Sequence, residues 1–146
     1  MKLKMAICML FLFLACSKQS TERNPYLNEI GFRFDINLNL PLYSPLTTLG
    51  NAVYINNAAA GIRGVFVIKV SQDQYRAFEA SCPNHAPNEC STMGLNGQQV
   101  TCSCEDYTYS LFNGLLTNPP EDGSRYYNLL EYRATFNGSN VVAISN

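Results

Sequence analysis

Four cysteines, the chain's one histidine and two adjacent carboxylates fall within one short stretch of this 146-residue sequence. A first loop reads Cys82-Pro-Asn-His-Ala-Pro-Asn-Glu-Cys90 and carries the histidine, His85. A second opens Cys102-Ser-Cys104-Glu-Asp and runs through Tyr107 and Tyr109 to Asn113-Gly114. Thiolates and imidazole are ligands for zinc and iron, and paired thiols close disulfides. Zinc held by Cys82, His85, Cys102 and Cys104 is one reading, although Cys102-Ser-Cys104 lacks the two-residue spacing of a zinc ribbon. An all-cysteine iron–sulfur cluster would draw four thiolates from unequally spaced loops. His85, beside two prolines, reads as a polar loop residue, with no nucleophile–base arrangement around it. Glu105 and Asp106 are neighbours in the chain, so they point apart and read as solvated.

The elements that position these loops are short strands. Ile30 to Leu40 alternates, with Phe32, Phe34, Ile36, Leu38 and Leu40 on one face and Arg33, Asp35, Asn37 and Asn39 on the other, until Pro41 and Pro45 interrupt it. Ala52 to Ile55 is a short strand, Gly64 to Val70 a stronger one, and Gln74 to Ala80 pairs with it across Ser71-Gln-Asp73. Gln98 to Cys102 delivers the chain into the second loop, and Tyr107 to Leu111 leaves it. Asn118-Pro-Pro-Glu-Asp-Gly123 is a loop. Leu129 to Phe136 and Asn140 to Ile144 flank Asn137-Gly-Ser139, a hairpin signal. Asn137 also opens an N-x-S sequon, read here simply as the turn. No segment has a sustained helical period, so the fold class is all-β and antiparallel.

The N-terminus has a different character. Met1-Lys-Leu-Lys precedes an apolar run from Met5 to Ala15, and Cys16 follows. A basic start and a short apolar core mark a secretory signal over residues 1–15, and a run this short falls below the roughly 20 residues of a membrane span. Phe13-Leu-Ala-Cys16 resembles a bacterial lipobox, which implies a lipidated Cys16, a polar tether over 16–28 and a single domain over 29–146 in about 130 residues. The formal net charge of −1 includes Lys2 and Lys4, which leave with the signal. Without a basic patch, nucleic acid is not a partner. Cys8 lies in the signal and Cys16 is assigned to lipid, so Cys82, Cys90, Cys102 and Cys104 remain; an even number in an exported protein favours disulfides.

From Gly61 to Ile144 the order of features resembles a Rieske [2Fe–2S] domain. The strand pair ending in Ser81-Cys82-Pro83, the lead Val100-Thr-Cys102 and the run Tyr109-Ser-Leu-Phe-Asn-Gly114 correspond to the strands and loops that hold its cluster. The resemblance implies an antiparallel β sandwich or barrel with the two cysteine loops at one end. It implies cluster-ligand positions at Cys82, Asn84, Cys102 and Glu105, where the family has Cys, His, Cys and His. His85 stands one place late, and imidazole is missing from both of its usual positions. Asn is a poor iron ligand, and the charged oxygen of Glu suits harder metals.

The expectation is therefore a Rieske-like domain without the ordinary cofactor. The family arrangement implies two disulfides, Cys82–Cys102 in place of the cluster and Cys90–Cys104 as the outer staple. A [2Fe–2S] cluster of atypical ligation and a zinc ion are the alternatives. The expected role is a membrane-anchored envelope lipoprotein with a structural or recognition surface at its loop tip. Electron transfer through an atypical cluster or redox-active disulfide, and a cofactor-free accessory subunit of an envelope oxidoreductase, are the alternatives. Expected partners are the membrane, through the lipid anchor, and an envelope redox or assembly protein.

Overall fold

The computed structural model describes residues 23–146. The expected signal, Cys16 and the first part of the tether lie outside the described residues. Nine strands follow in order: β1 (Arg33–Asn37), β2 (Ala52–Ile55), β3 (Val65–Ser71), β4 (Gln74–Glu79), β5 (Gly94–Asn96), β6 (Gln99–Thr101), β7 (Thr108–Ser110), β8 (Glu131–Phe136) and β9 (Val141–Ser145). They form an antiparallel six-stranded sheet, β1-β9-β8-β4-β3-β2, and a three-stranded sheet, β5-β6-β7. The fold is all-β and antiparallel, as expected.

Strand β3 shows why the sequence folds this way. Its apolar run does not alternate because both of its faces are buried. Val65 and Val67 enter a core with Ile36, Leu46, Ala77, Tyr132, Val142 and Ile144. Phe66 and Ile68 enter a second core with Phe78, Val100, Tyr109, Leu111 and both cysteines Cys82 and Cys102. Phe66 and Phe78 are register partners across β3 and β4, and burial of each contributes about 1.5–3 kcal/mol. The second core is thus a floor on which the cysteine loops rest.

Elsewhere the strands depart from expectation in small ways. The alternation from Ile30 yields a strand only over Arg33–Asn37; Ile36 and Leu38 are buried, but Leu40 is 49% exposed. Asn37 ends the strand by accepting the Asn39 N–H on its side chain, and Pro41–Thr47 coils into a 3-10 helix. The pair β5–β6 turns at Gly97-Gln98, with Gly97 at φ +60°, a two-residue hairpin that opens on glycine. The hairpin at Asn137-Gly-Ser139 forms as expected: Asn137 accepts the Ser139 and Val141 N–H groups on its side chain. The expected tether is partly seated, since Leu27 is buried and Asn24 donates to the Pro83 carbonyl at 2.7 Å.

Candidate functional site

Strand β4 ends at Glu79, and three residues on the chain reaches Cys82. Its N–H donates to the Ser91 carbonyl at 2.8 Å, closing the base of the first loop. The second loop is closed in the same manner: Cys102 N–H donates to the Tyr107 carbonyl at 2.8 Å, and Asp106 N–H to the Cys102 carbonyl at 2.9 Å. Asp106 takes φ +56° to complete this tight turn, a conformation Asp tolerates better than most residues. The Cys90–Cys104 disulfide joins the two loops outside their bases, with Cα atoms 5.6 Å apart.

Inside that staple, one polar group from near each loop base and one from further along converge. Cys82, His85, Cys102 and Glu105 place a ligand atom each within 4.8 Å of one another. Cys82 Sγ donates to Glu105 Oε2 at 3.4 Å, and Cys102 Sγ lies 3.6 Å from His85 Nε2. Both thiols are fully buried, while His85 and Glu105 close the site on its solvent side. The tautomer of His85 follows from its other nitrogen. Nδ1 lies 2.9 Å from the Ala86 carbonyl, which can only accept, so Nδ1 carries the proton and Nε2 faces Cys102.

Electrostatics separate the two thiols. The hydrogen bond between them, with burial added, pushes Cys82 up. The same bond pulls Cys102 down against the effect of burial, helped by His85 and by the backbone N–H groups of Cys104 and Glu105. Cys102 therefore gives up its proton first. Burial lowers His85, but the Ala86 carbonyl, the Cys102 sulfur and Glu105 outweigh it and leave the imidazole above its ordinary pKa. A buried thiolate beside an imidazole would be a nucleophile if a substrate could reach it. With Cys102 fully buried, the arrangement suits holding an ion or closing a bond.

Several expected roles shift. Asn84 does not take a place in the cluster. Its side chain donates to Tyr109 Oη at 2.6 Å and to the Tyr127 carbonyl at 3.1 Å, and accepts from Tyr127 N–H at 2.7 Å. These bonds tie the first loop to β7 and to the segment before β8, and the next residue, His85, turns into the site instead. Glu105, read as solvated, receives the Cys82 thiol. Cys104, expected among the zinc ligands, is held in the disulfide, and Glu105 stands where it was expected. Cys82 and Cys102 are free thiols rather than the expected disulfide, each sulfur being directed to a partner from the other loop. The outer pair, Cys90–Cys104, is bonded.

One residue that shapes the site went unread. Glu79 is fully buried, and its carboxylate accepts from Ile62 N–H, Arg63 N–H, Ser81 N–H and Tyr132 Oη–H at 2.7–2.9 Å. It pins the turn at Gly61 and the approach to Cys82 to one point. Gly61 has φ +70°, and a Cβ there would stand 2.5 Å from Glu79 Oε2, so only glycine admits the carboxylate.

A two-iron Rieske cluster places two thiolates on one iron and two imidazoles on the other. This site offers one imidazole and one carboxylate for that second pair. Its four donors also lie close enough to share a single ion, with no span for two irons and two sulfides between opposed pairs. The donor set does not fit the cluster.

Neither a protein-family model nor a curated protein matches the sequence. Solved structures do show likeness. The apo form of the quaternary ammonium Rieske monooxygenase CntA is 15% identical with a TM-score of 0.52, over 82% of this chain and 34% of that one. The same enzyme with the inhibitor MMV12 gives 15% identity and a TM-score of 0.51, over 80% of this chain and 31% of that one. A protein from Mycobacterium tuberculosis described as an NADH-dependent nitrite reductase small subunit is 14% identical with a TM-score of 0.45, over 81% of this chain and 97% of that one. This chain thus spans about a third of the oxygenase's length. At such identities the likeness concerns architecture alone, and the architecture is Rieske-like.

Proposed function

We propose that this is a lipid-anchored protein of a bacterial envelope whose Rieske-like domain works without the two-iron cluster. Its stapled loop tip serves as a structural or recognition surface, and an envelope oxidoreductase or assembly protein is the partner such a tip suits. The observation that carries the reading is the commitment of Asn84. The residue at the family's first histidine position is bound to Tyr109 and Tyr127, and the second histidine position is Glu105. The anchor draws on the sequence of residues 1–16 alone.

The test is protein purified from its native envelope in detergent. The expected preparation is colourless, without stoichiometric iron or acid-labile sulfide, and its mature N-terminus is an acylated Cys16. Cys16→Ser should release or misprocess it. A mature protein that begins elsewhere and stays in the aqueous phase would remove the anchor from the reading.

A second reading, electron transfer, draws on Cys82 and Cys102, which occupy the family's thiolate positions and are both buried and unbonded. A brown preparation with roughly two irons per chain would select it and discard the first.

A further inference from the structure

We propose that the loop tip binds one zinc ion through Cys82, His85, Cys102 and Glu105. This rests on the reading that the two-iron cluster is gone, and it gives the same site a different occupant. The first observation is spacing. Two residues separate Cys82 from His85, and two separate Cys102 from Glu105; sixteen lie between the pairs. That is the arrangement of a zinc ribbon, whose two ligand pairs each enclose two residues and stand roughly 15–20 apart. With Cys104 in the set the spacing was wrong; with Glu105 it is regular.

The second observation is distance. Zinc bonds of about 2.3 Å to sulfur and about 2.0–2.1 Å to nitrogen or oxygen put neighbouring tetrahedral ligand atoms roughly 3.3–3.8 Å apart. Cys82 Sγ to Glu105 Oε2 is 3.4 Å and Cys102 Sγ to His85 Nε2 is 3.6 Å. The widest separation among the four, 4.8 Å at most, needs to close by about an ångström to reach tetrahedral spacing.

The third is the surroundings of each ligand. His85 donates Nδ1–H to the Ala86 carbonyl, the outer hydrogen bond that orients a metal-binding imidazole and leaves Nε2 to bind. Backbone N–H groups of Cys104 and Glu105 point at Cys102 Sγ, and that of Asn84 at Cys82 Sγ, donors suited to thiolates. Two thiolates select zinc over magnesium or calcium, and imidazole with carboxylate completes a borderline set. Binding releases the remaining thiol protons to solvent and leaves the centre with one net negative charge. All four positions come from the protein, which describes a structural rather than a catalytic site. The ion would cross-link the same two loops as the Cys90–Cys104 disulfide, from the inside.

The test uses the full chain in detergent, freed of metal by chelation under nitrogen with its disulfide intact. Cobalt(II) is the probe. One Co2+ per chain should bind, with visible bands of tetrahedral intensity and a sulfur-to-cobalt charge-transfer band in the near-ultraviolet, and Zn2+ should abolish both. Cys82 and Cys102 are core residues whose replacement could unfold the tip, so His85→Ala and Glu105→Gln carry the test. Each should weaken Zn2+ affinity by at least the roughly tenfold to hundredfold that even outer-layer changes cost metal sites. Cobalt binding without the charge-transfer band, or affinity unchanged in both variants, overturns the proposal. A Cys82–Cys102 disulfide in native protein overturns it while leaving the lost-cluster reading standing. Two irons and two sulfides per chain overturn both.

Discussion

Two carboxylates bracket the loop system, Glu79 three residues before Cys82 and Glu105 three after Cys102, and their surroundings are opposite. Glu79 is buried and complete: four donors from three places in the chain meet its two oxygens. Glu105 sits at the open side of a cluster in which the other three members, two thiols and an imidazole, are also electron-pair donors once deprotonated. The first is a finished hydrogen-bond node, in which donors and acceptors match. The second gathers groups that compete for protons and share few, which is the composition of a ligand set. The difference separates a residue that holds the fold from residues that the fold holds.

The largest effect should come from breaking the finished node. Glu79→Ala removes the acceptor for three N–H groups and for the Tyr132 hydroxyl, of which the Ser81 N–H and the hydroxyl are buried and costly to strand. A loss of about 3–5 kcal/mol is expected, the range seen when one member of a buried charged network is removed, read as a lowered urea midpoint. Because Ser81 N–H is one of the four donors, the first loop should also lose its fixed approach. Amide exchange near Cys82 should therefore rise more than exchange in β8 and β9. Uniform exchange throughout would make Glu79 a general stabiliser rather than an anchor of the loop.

The staple between the two regions comes next. The Cys90–Cys104 disulfide closes a loop with a sequence separation of 14, for which chain-entropy arguments give about 3 kcal/mol. Cys90→Ala with Cys104→Ala should cost about 2–3 kcal/mol. Far-ultraviolet circular dichroism should hold its β signal, because both sheets have apolar cores apart from this bond. Proteolysis should begin between Cys82 and Cys90. Loss of the β signal along with the tip would mean that the loops organise the sheets rather than rest on them.

What the sequence shows of this molecule follows the same division. The paired β3 and β4, the closing hairpin and the position of the two cysteine loops are legible because periodicity and turn chemistry are local. The destination of a polar side chain is not local. Glu79 ends an alternating strand and looks like any solvated charge; its burial depends on Gly61 and Tyr132, which are distant in sequence. Asn84 and His85 are adjacent, and which of them faces the sulfurs is decided by Tyr109 and Tyr127. Counting residues from Cys82 against a family pattern therefore pointed to Asn84. Neighbouring carboxylates diverge, and these do: Asp106 sits at positive φ outside the cluster while Glu105 enters it.

The smallest expected effect is the one that most sharpens the contrast. In metal-free protein, Glu105→Gln should change stability by no more than about 0.5 kcal/mol, the range of surface substitutions away from buried networks. The amide oxygen can still accept from the Cys82 thiol, and the residue has no other hydrogen-bond duty of the kind that ties down Glu79. Added Zn2+ should then divide the two proteins. A ligand that binds only the folded state stabilises by about 2.7 kcal/mol at one hundred times its dissociation constant, so the native chain should gain that rise in the melt while the Gln variant gains little at the same concentration. If Glu105→Gln were as damaging without metal as Glu79→Ala, Glu105 would be a second structural node and the contrast between the two carboxylates would collapse.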